Sequence, residues 1–213
     1  MMKVLSNLIR NTPDNILLKS RANCHVKGLY SIVLGVWNGR MVRMFYCEPF
    51  HQLYKDTSLA YHTNHCGLIM EVLVGVIYNS RLQENNLGFN SKLLSDTFGN
   101  YEWSSMLDRE VDVDKVGFKP LQSNIKLFKD HDTVTKGKSV HLGASEIHTV
   151  FAPKNREAAW LVYEGEEDPD YEHIAYSQMD LEKWTPDGLY KEMTLKEIKK
   201  VIDRVEFLFN TNT

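Results

Sequence analysis

The stretch Ser139-Val140-His141-Leu142-Gly143-Ala144-Ser145-Glu146-Ile147-His148-Thr149-Val150-Phe151 carries the clearest indication of the fold. Two short runs, Ser139–Leu142 and Ile147–Phe151, have strand character and are separated by the turn-forming residues 143–145. Short runs rich in β-branched and aromatic residues and bounded by glycine and serine are typical of strands. The stretch therefore predicts two short strands joined by a tight turn, the second carrying a histidine.

Further strand-like runs lie on both sides of this stretch. Asn38-Gly39 separates the runs 29–37 and 41–47 and predicts a hairpin, because both turn residues tolerate positive φ. The remaining predicted strands cover residues 59–62, 68–78, 123–128 and 158–163. The more polar segment 79–114 predicts longer loops and one short helix.

Helices are predicted at the two ends of the chain. Residues 1–20 indicate one or two short helices, broken at Asn11-Thr12-Pro13. Thr194 and Glu197 form a capping box before an apolar repeat of helical spacing, which predicts a helix over 194–210. A block of many short strands must close as a sandwich or barrel to protect its edges. The sequence thus predicts one mainly β domain over 1–213, with a barrel core over about 26–165.

Composition narrows the classes of function. The net charge of −3 provides no general attraction to nucleic acid or to anionic membranes, so neither is expected as a partner. Three cysteines are an odd and sparse set, which favours reduced thiols and a cytoplasmic location. No secretory leader or membrane-spanning run is recognised. Phosphate-loop, dinucleotide-binding and nucleophile-elbow motifs are absent from the sequence.

Two histidine-bearing segments indicate the site. Tyr61-His62-Thr63-Asn64-His65-Cys66 precedes one apolar run, and His148 begins another. Side chains two apart on a strand share a face, so His62 and Asn64 point together while His65 points away, unless residues 65–67 form a turn or bulge. Imidazoles from two distant strands can converge on one metal ion inside a barrel, and iron, nickel, manganese and zinc all accept such ligands.

These residues resemble the two motifs of the cupin superfamily, the small double-stranded β-helix barrels. Gly137 and His148 fall at the spacing of the second motif, although Gly143, Ser145 and Ala152 stand where proline, glycine and asparagine are usual. With Gly75 as the last glycine of the first motif, His62 matches its first histidine. Asn64 then stands in place of the second histidine and Leu68 in place of the glutamate.

The resemblance extends distantly to the thiol dioxygenase branch, through residues 148–151 and 160–163. It implies a cupin-like jelly-roll barrel, with ferrous iron held by His62, His148 and His65, and an iron-dependent oxygenase acting on a small polar or anionic molecule. Nickel, manganese or zinc are alternatives to iron. Arg43 and Tyr163 are the residues expected to orient the substrate. Cupins often dimerise, so a homodimer is a further expectation from the resemblance.

Two other functions stay open at this stage. The loss of two usual ligands is what a metal-free cupin would show if it bound a small ligand or regulated a partner without turnover. A cupin isomerase with His62 as base and a tyrosine as acid would also need no metal. Glu71, inside the apolar run 68–78, is interpreted as an outward-facing residue rather than a ligand.

Overall fold

The computed structural model describes residues 11–49, 61–84, 96–104, 117–167, 173–177 and 188–211. These residues include two helices, α1 (Asp14–Leu17) near the N-terminus and α2 (Leu195–Thr211) near the C-terminus, with thirteen strands between them. The strands are β1 (Arg21–Ala22), β2 (Leu29–Trp37), β3 (Arg40–Cys47), β4 (Tyr61–His62), β5 (Cys66–Val74), β6 (Val76–Glu84), β7 (Asp96–Ser104), β8 (Gly117–Thr135), β9 (Ser139–Leu142), β10 (Ile147–Phe151), β11 (Ala158–Glu167), β12 (Ile174–Ser177) and β13 (Lys191–Glu192).

The strands form two antiparallel sheets. Sheet A has the order β13-β1-β2-β3-β11-β5-β9. Sheet B has the order β10-β4-β12-β7-β8-β6 and closes on itself, because β6 also pairs with β10. From β8 to β11 the chain alternates between the two sheets at each turn, which is the connectivity of a jelly roll.

Gly75 is the corner at which the chain passes directly from β5 of sheet A to β6 of sheet B. Its φ of +71° is unfavourable for other residues, and a Cβ there would collide with the carbonyl oxygen of Glu157. The single strand predicted over 68–78 is therefore wrong, since β5 ends before Gly75 and β6 begins after it. The loops predicted for 79–114 are also wrong in part, because β6 continues to Glu84 and β7 follows at Asp96–Ser104.

Two apolar layers lie on the two faces of sheet A. One layer packs α2 against the sheet through Ile198, Val205 and the strand residues Met44 and Leu161. The other lies between the sheets and contains, among others, Met70, Val72, Ile77, Val134 and Trp160. The inner face of sheet B thus packs against the inner face of sheet A. The polar residues of the candidate site described below are found on these inner faces.

Helix α2 begins as the sequence predicts. The Glu197 carboxylate accepts the Thr194 backbone N–H over 2.8 Å, and the Glu197 backbone N–H donates to the Thr194 hydroxyl over 3.3 Å. This reciprocal capping satisfies N–H groups that the first helical turn leaves without partners. No helix in the described ranges is long and apolar enough to span a lipid bilayer.

The prediction of a mainly β jelly-roll barrel with a helix near each end is confirmed. The predicted strand Leu29–Trp37 and both strands of the opening stretch are found with the predicted bounds. The segment 1–10, where helices were also predicted, lies outside the described residues.

Candidate functional site

His62 and His148 meet across two paired strands. They are register partners in the antiparallel ladder between β4 and β10, so both side chains lie on the same face of sheet B. Their ring centroids are 5.2 Å apart. Val150, two residues after His148, packs against the apolar layer between the sheets, which identifies this face as the interior of the barrel.

Two asparagines hold His148 through both of its ring nitrogens. The Asn64 side-chain amide donates to Nε2 over 2.8 Å, and Nδ1 donates to Asn79 Oδ1 over 3.1 Å. This pattern fixes the neutral tautomer with its proton on Nδ1. Burial holds the pKa of His148 well below its ordinary value, and His62 and Arg81 lower it further. The ring is 3% exposed and stays uncharged at neutral pH.

A third histidine, His25, extends this pair into a row. Its ring stacks on that of His62 with centroids 5.9 Å apart, and the Tyr190 hydroxyl hydrogen-bonds to His25 Nδ1 over 2.9 Å. Burial, with a smaller contribution from His62, lowers the pKa of His25 to about 3. We call His25, His62 and His148 the histidine row.

The backbone that carries His25 and Tyr190 is unusual. Both residues have positive φ, 62° and 50°, which bulky side chains seldom adopt and which costs on the order of 1–3 kcal/mol each. Asn23 ties the two segments together, because its side-chain amide donates to Gly188 O and its oxygen accepts the Gly28 N–H. Such conformations persist only where the surrounding contacts impose them, and they are common at functional sites.

Two N–H groups beside the histidine row lack acceptors among the described residues. Asn79 is fully buried, and its Nδ2 has no hydrogen-bond partner there. Arg81, the register partner of His148, pairs with Asp132 and with Glu146 through its terminal nitrogens, but its buried Nε has no acceptor. Asn79 and Arg81 alternate with Ile77 on one face of β6, the face that Ile77 presents to the core.

His65, predicted as the third metal ligand, lies beside other groups. Its Nε2 is 3.6 Å from Glu167, and its ring lies against that of His173 with centroids 5.4 Å apart. It stands one residue out of register with His62 and Asn64, in the bend between β4 and β5. The position that the spacing assigns to a second histidine is instead filled by Asn64.

Arg43 lies on the inner face of sheet A, but its charge is already paired. It alternates with Phe45 and Cys47, which pack in the layer between the sheets. Its Nε donates to Glu164 over 2.6 Å, and both side chains are mostly buried. An anionic substrate would have to compete with this carboxylate for the guanidinium.

Tyr163, predicted to face the cavity, lies on the opposite face of sheet A. It packs in the layer beneath α2, and its hydroxyl donates to Glu71 over 3.4 Å. The inward positions of β11 belong to Trp160 and Val162, so the alternation of the strand directs Tyr163 away from the histidine row. The structure thus corrects the role given to Tyr163, and it agrees with the interpretation of Glu71 as a residue outside the barrel.

The thiols are not candidates for nucleophilic chemistry. Cys24, Cys47 and Cys66 are all buried, and none of them forms a disulfide within the described residues. Burial raises the pKa of Cys24 to about 12 and that of Cys47 to about 11, so both remain protonated at neutral pH.

The donor set does not fit the predicted three-histidine metal centre. A histidine coordinates metal through an unprotonated ring nitrogen, and on His148 that nitrogen, Nε2, accepts the Asn64 amide. On His25, Nδ1 is engaged by the Tyr190 hydroxyl. In the described part of the chain, no three His, Cys, Asp or Glu side chains are grouped as metal ligands.

Sequence reasoning missed His25, Tyr190, Asn79 and Arg81. His25 and Tyr190 are 165 residues apart in the chain. Their side-chain contact depends on left-handed backbone conformations that no pattern in the sequence predicts. Asn79 and Arg81 could have been found. If Gly75 is recognised as a corner, Asn79 and Arg81 follow Ile77 at every second position of β6 and therefore lie on its inward face.

Comparison with known proteins gives a likeness of fold. No protein-family model and no curated protein matches the chain. Among solved structures it is similar to the Drosophila melanogaster CENP-C cupin domain, at 10% identity over 77% of this chain and 94% of that chain, with a TM-score of 0.37.

Two further solved structures show the same degree of likeness. The polyketide cyclase RemF from Streptomyces resistomycificus is 12% identical over 76% of this chain and 78% of that chain, with a TM-score of 0.34. Hydroquinone 1,2-dioxygenase from Sphingomonas sp. TTNP3, with 4-hydroxybenzoate bound, is 12% identical over 65% of this chain and 66% of that chain, with a TM-score of 0.33. TM-scores this low carry no argument about function.

Proposed function

We propose that this protein is a metal-independent, cupin-like barrel that binds a small polar molecule at the histidine row. The observation that carries the proposal is the engagement of both ring nitrogens of His148 by asparagine amides. Asn64 occupies the position of a usual metal ligand, and its amide hydrogen takes the lone pair that a metal ion would need. An amide–imidazole hydrogen bond thus stands where a coordination bond would be.

The polar groups of the row support ligand binding over a purely structural role. A buried N–H without an acceptor costs about 1–3 kcal/mol, and the described residues leave Asn79 Nδ2 in that state. The left-handed backbones of His25 and Tyr190 add a further cost at the same place. Unpaired buried groups are found where they have a function, and a ligand that accepts a hydrogen bond from Asn79 would offset part of this free-energy cost.

An iron-dependent oxygenase is the second candidate. The closeness of His62 and His148 favours it, because ring centroids 5.2 Å apart on one face suit two ligands of one ion. This function requires the Asn64 amide to turn away from Nε2 and a third ligand to be found. A site for nickel, manganese or zinc would require the same two changes, a reoriented Asn64 amide and a third ligand.

Elemental analysis separates the two candidates. Protein purified without chelator is assayed for iron, nickel, manganese and zinc, as wild type, His148→Ala and the matched control His131→Ala, which removes an exposed histidine of β8. We expect sub-stoichiometric metal in all three. About one metal per chain in wild type and His131→Ala, lost in His148→Ala, would overturn the proposal and establish the metal centre.

A further inference from the structure

We infer that the molecule bound at the histidine row is uncharged and presents a carbonyl-type oxygen to the side chains of Asn79 and Arg81. This inference rests on the proposed ligand-binding function and specifies its ligand class. The two residues supply N–H groups, Asn79 Nδ2 and Arg81 Nε, that are buried and have no acceptor among the described residues.

The geometry sets what the ligand must offer. Asn79 Oδ1 already accepts from His148, so this amide can only donate further, and an arginine has donors alone. The two residues are neighbours on one face of β6, about 7 Å apart along the strand, within reach of one small molecule. A carbonyl oxygen has two lone pairs and suits such a pair of donors.

The charge balance excludes a carboxylate as the preferred ligand. Arg81 carries a positive charge beside His148, its register partner, and it already pairs with two carboxylates, those of Asp132 and Glu146. His148 is neutral because it donates from Nδ1 and accepts at Nε2. An anion would therefore meet one matched cation and two negative charges, whereas an amide or ketone oxygen accepts the same hydrogen bonds without that repulsion.

Matched pairs of small probes test this directly. Formamide, acetamide and benzamide are each compared with formate, acetate and benzoate, which have the same size but carry a negative charge. Binding to the full chain, labelled with nitrogen-15 histidine, is followed by titration of the His148 resonances in the presence of chelator. We expect at least one amide to shift these resonances and to bind about tenfold or more tightly than its carboxylate partner.

Variants assign the effect to the two donors. Asn79→Asp keeps the acceptor for His148 Nδ1 and removes the Nδ2 donor, so it should weaken amide binding about tenfold. Arg81→Lys keeps the charge that pairs with Asp132 and Glu146 but removes Nε, and gives a second reading if Asn79→Asp does not fold. The matched control is Ser80→Ala, which lies between them on the other face of β6 and contacts the Tyr61 hydroxyl. It should leave amide binding unchanged.

The outcomes separate the inference from the proposed function. If carboxylates bind more tightly than amides, or if Asn79→Asp and Arg81→Lys bind amides as wild type does, the inference is overturned and the binding function stands. If no probe of either kind shifts the His148 resonances, water alone satisfies these donors, and both are overturned. Tighter binding of amides, lost in the two variants and kept in Ser80→Ala, supports the inference.

Discussion

The outer face of sheet A and the inner face of sheet B both bury polar groups, but they satisfy them differently. Beneath α2, the Glu157 carboxylate accepts from Arg204 over 2.9 and 2.6 Å and from the Tyr46 hydroxyl. The hydrogen bonds from Arg204 keep the pKa of Glu157 below its usual value. This cluster pairs opposite charges and fastens the helix to the sheet.

The inner face places neutral groups around His148, beside Arg81 and the two carboxylates with which it pairs. Imidazoles and asparagine amides bind one another around His148, and the described residues leave N–H groups of Asn79 and Arg81 without acceptors. A structural cluster gains from pairing every group, whereas a binding site must keep some groups ready for its ligand. The contrast supports the proposal that the ligand binds at the inner face.

The largest effect on stability is expected at Gly75, where β5 of sheet A leads into β6 of sheet B. Gly75→Ala places a Cβ against the Glu157 carbonyl oxygen in a left-handed backbone, so we expect a loss of about 3 kcal/mol or more in the free energy of unfolding. Gly39→Ala is the control, because Gly39 has a similar φ and no atom within 4 Å of a new Cβ. Urea unfolding should show a cost of only about 1 kcal/mol there. Equal costs at the two positions would contradict the corner role of Gly75.

His148→Ala tests the inner face alone. It leaves the half-buried amide of Asn64 and the buried amide of Asn79 without their shared partner and opens a cavity, for which we expect a loss of about 2–3 kcal/mol in the free energy of unfolding. The exposed control His131→Ala should change it by less than about 0.5 kcal/mol. A stability equal to wild type in His148→Ala would show that the amide network is not formed.

The two faces should differ in their response to acid. Burial lowers the pKa of His25 from 6.5 to about 3, so its neutral form stabilises the fold fully above pH 6.5 and loses this contribution as the pH falls toward 3. Glu157, whose pKa is lowered from 4.5 by Arg204, loses its contribution only below about that pH. Wild type should therefore lose stability between about pH 7.5 and 5.5, a loss that the inner face causes.

Variants assign the acid response. In urea unfolding over the same interval, His25→Gln should lose less stability than wild type, while Arg204→Ala should keep the wild-type dependence because Glu157 does not titrate there. A wild-type stability that does not change over this interval would contradict the low pKa of His25.

The smallest effect is expected for Tyr163→Phe. This change removes one long hydrogen bond to Glu71 on the outer face, so the free energy of unfolding should fall by less than about 0.5 kcal/mol. Amide binding at the histidine row should be the same as in wild type, since Tyr163 lies on the other face of sheet A. Loss of binding in Tyr163→Phe would place this tyrosine at the site and undo the assignment of faces.

The sequence predicted most of the fold because strands and turns are local. The Asn38-Gly39 hairpin, the two strands of 139–151 and the capped C-terminal helix all follow from neighbouring residues. Motif spacing singled out His62 and His148, and the structure pairs them as register partners. Tyr163 was misplaced because the face of a strand residue depends on its register with partner strands. The contacts of His25 and Tyr190 depend on backbone conformation far apart in the chain, which no local pattern carries.

The most direct test of the central claim is the nitrogen-15 spectrum of His148 at neutral pH, recorded before and after addition of Zn²⁺. Its resonances are assigned by their loss in His148→Ala. The account predicts a neutral ring protonated at Nδ1, with an Nε2 resonance that Zn²⁺ does not shift, because the Asn64 amide holds that nitrogen. A ring protonated at Nε2, or an Nε2 resonance that moves on addition of Zn²⁺, would contradict it and restore the metal centre.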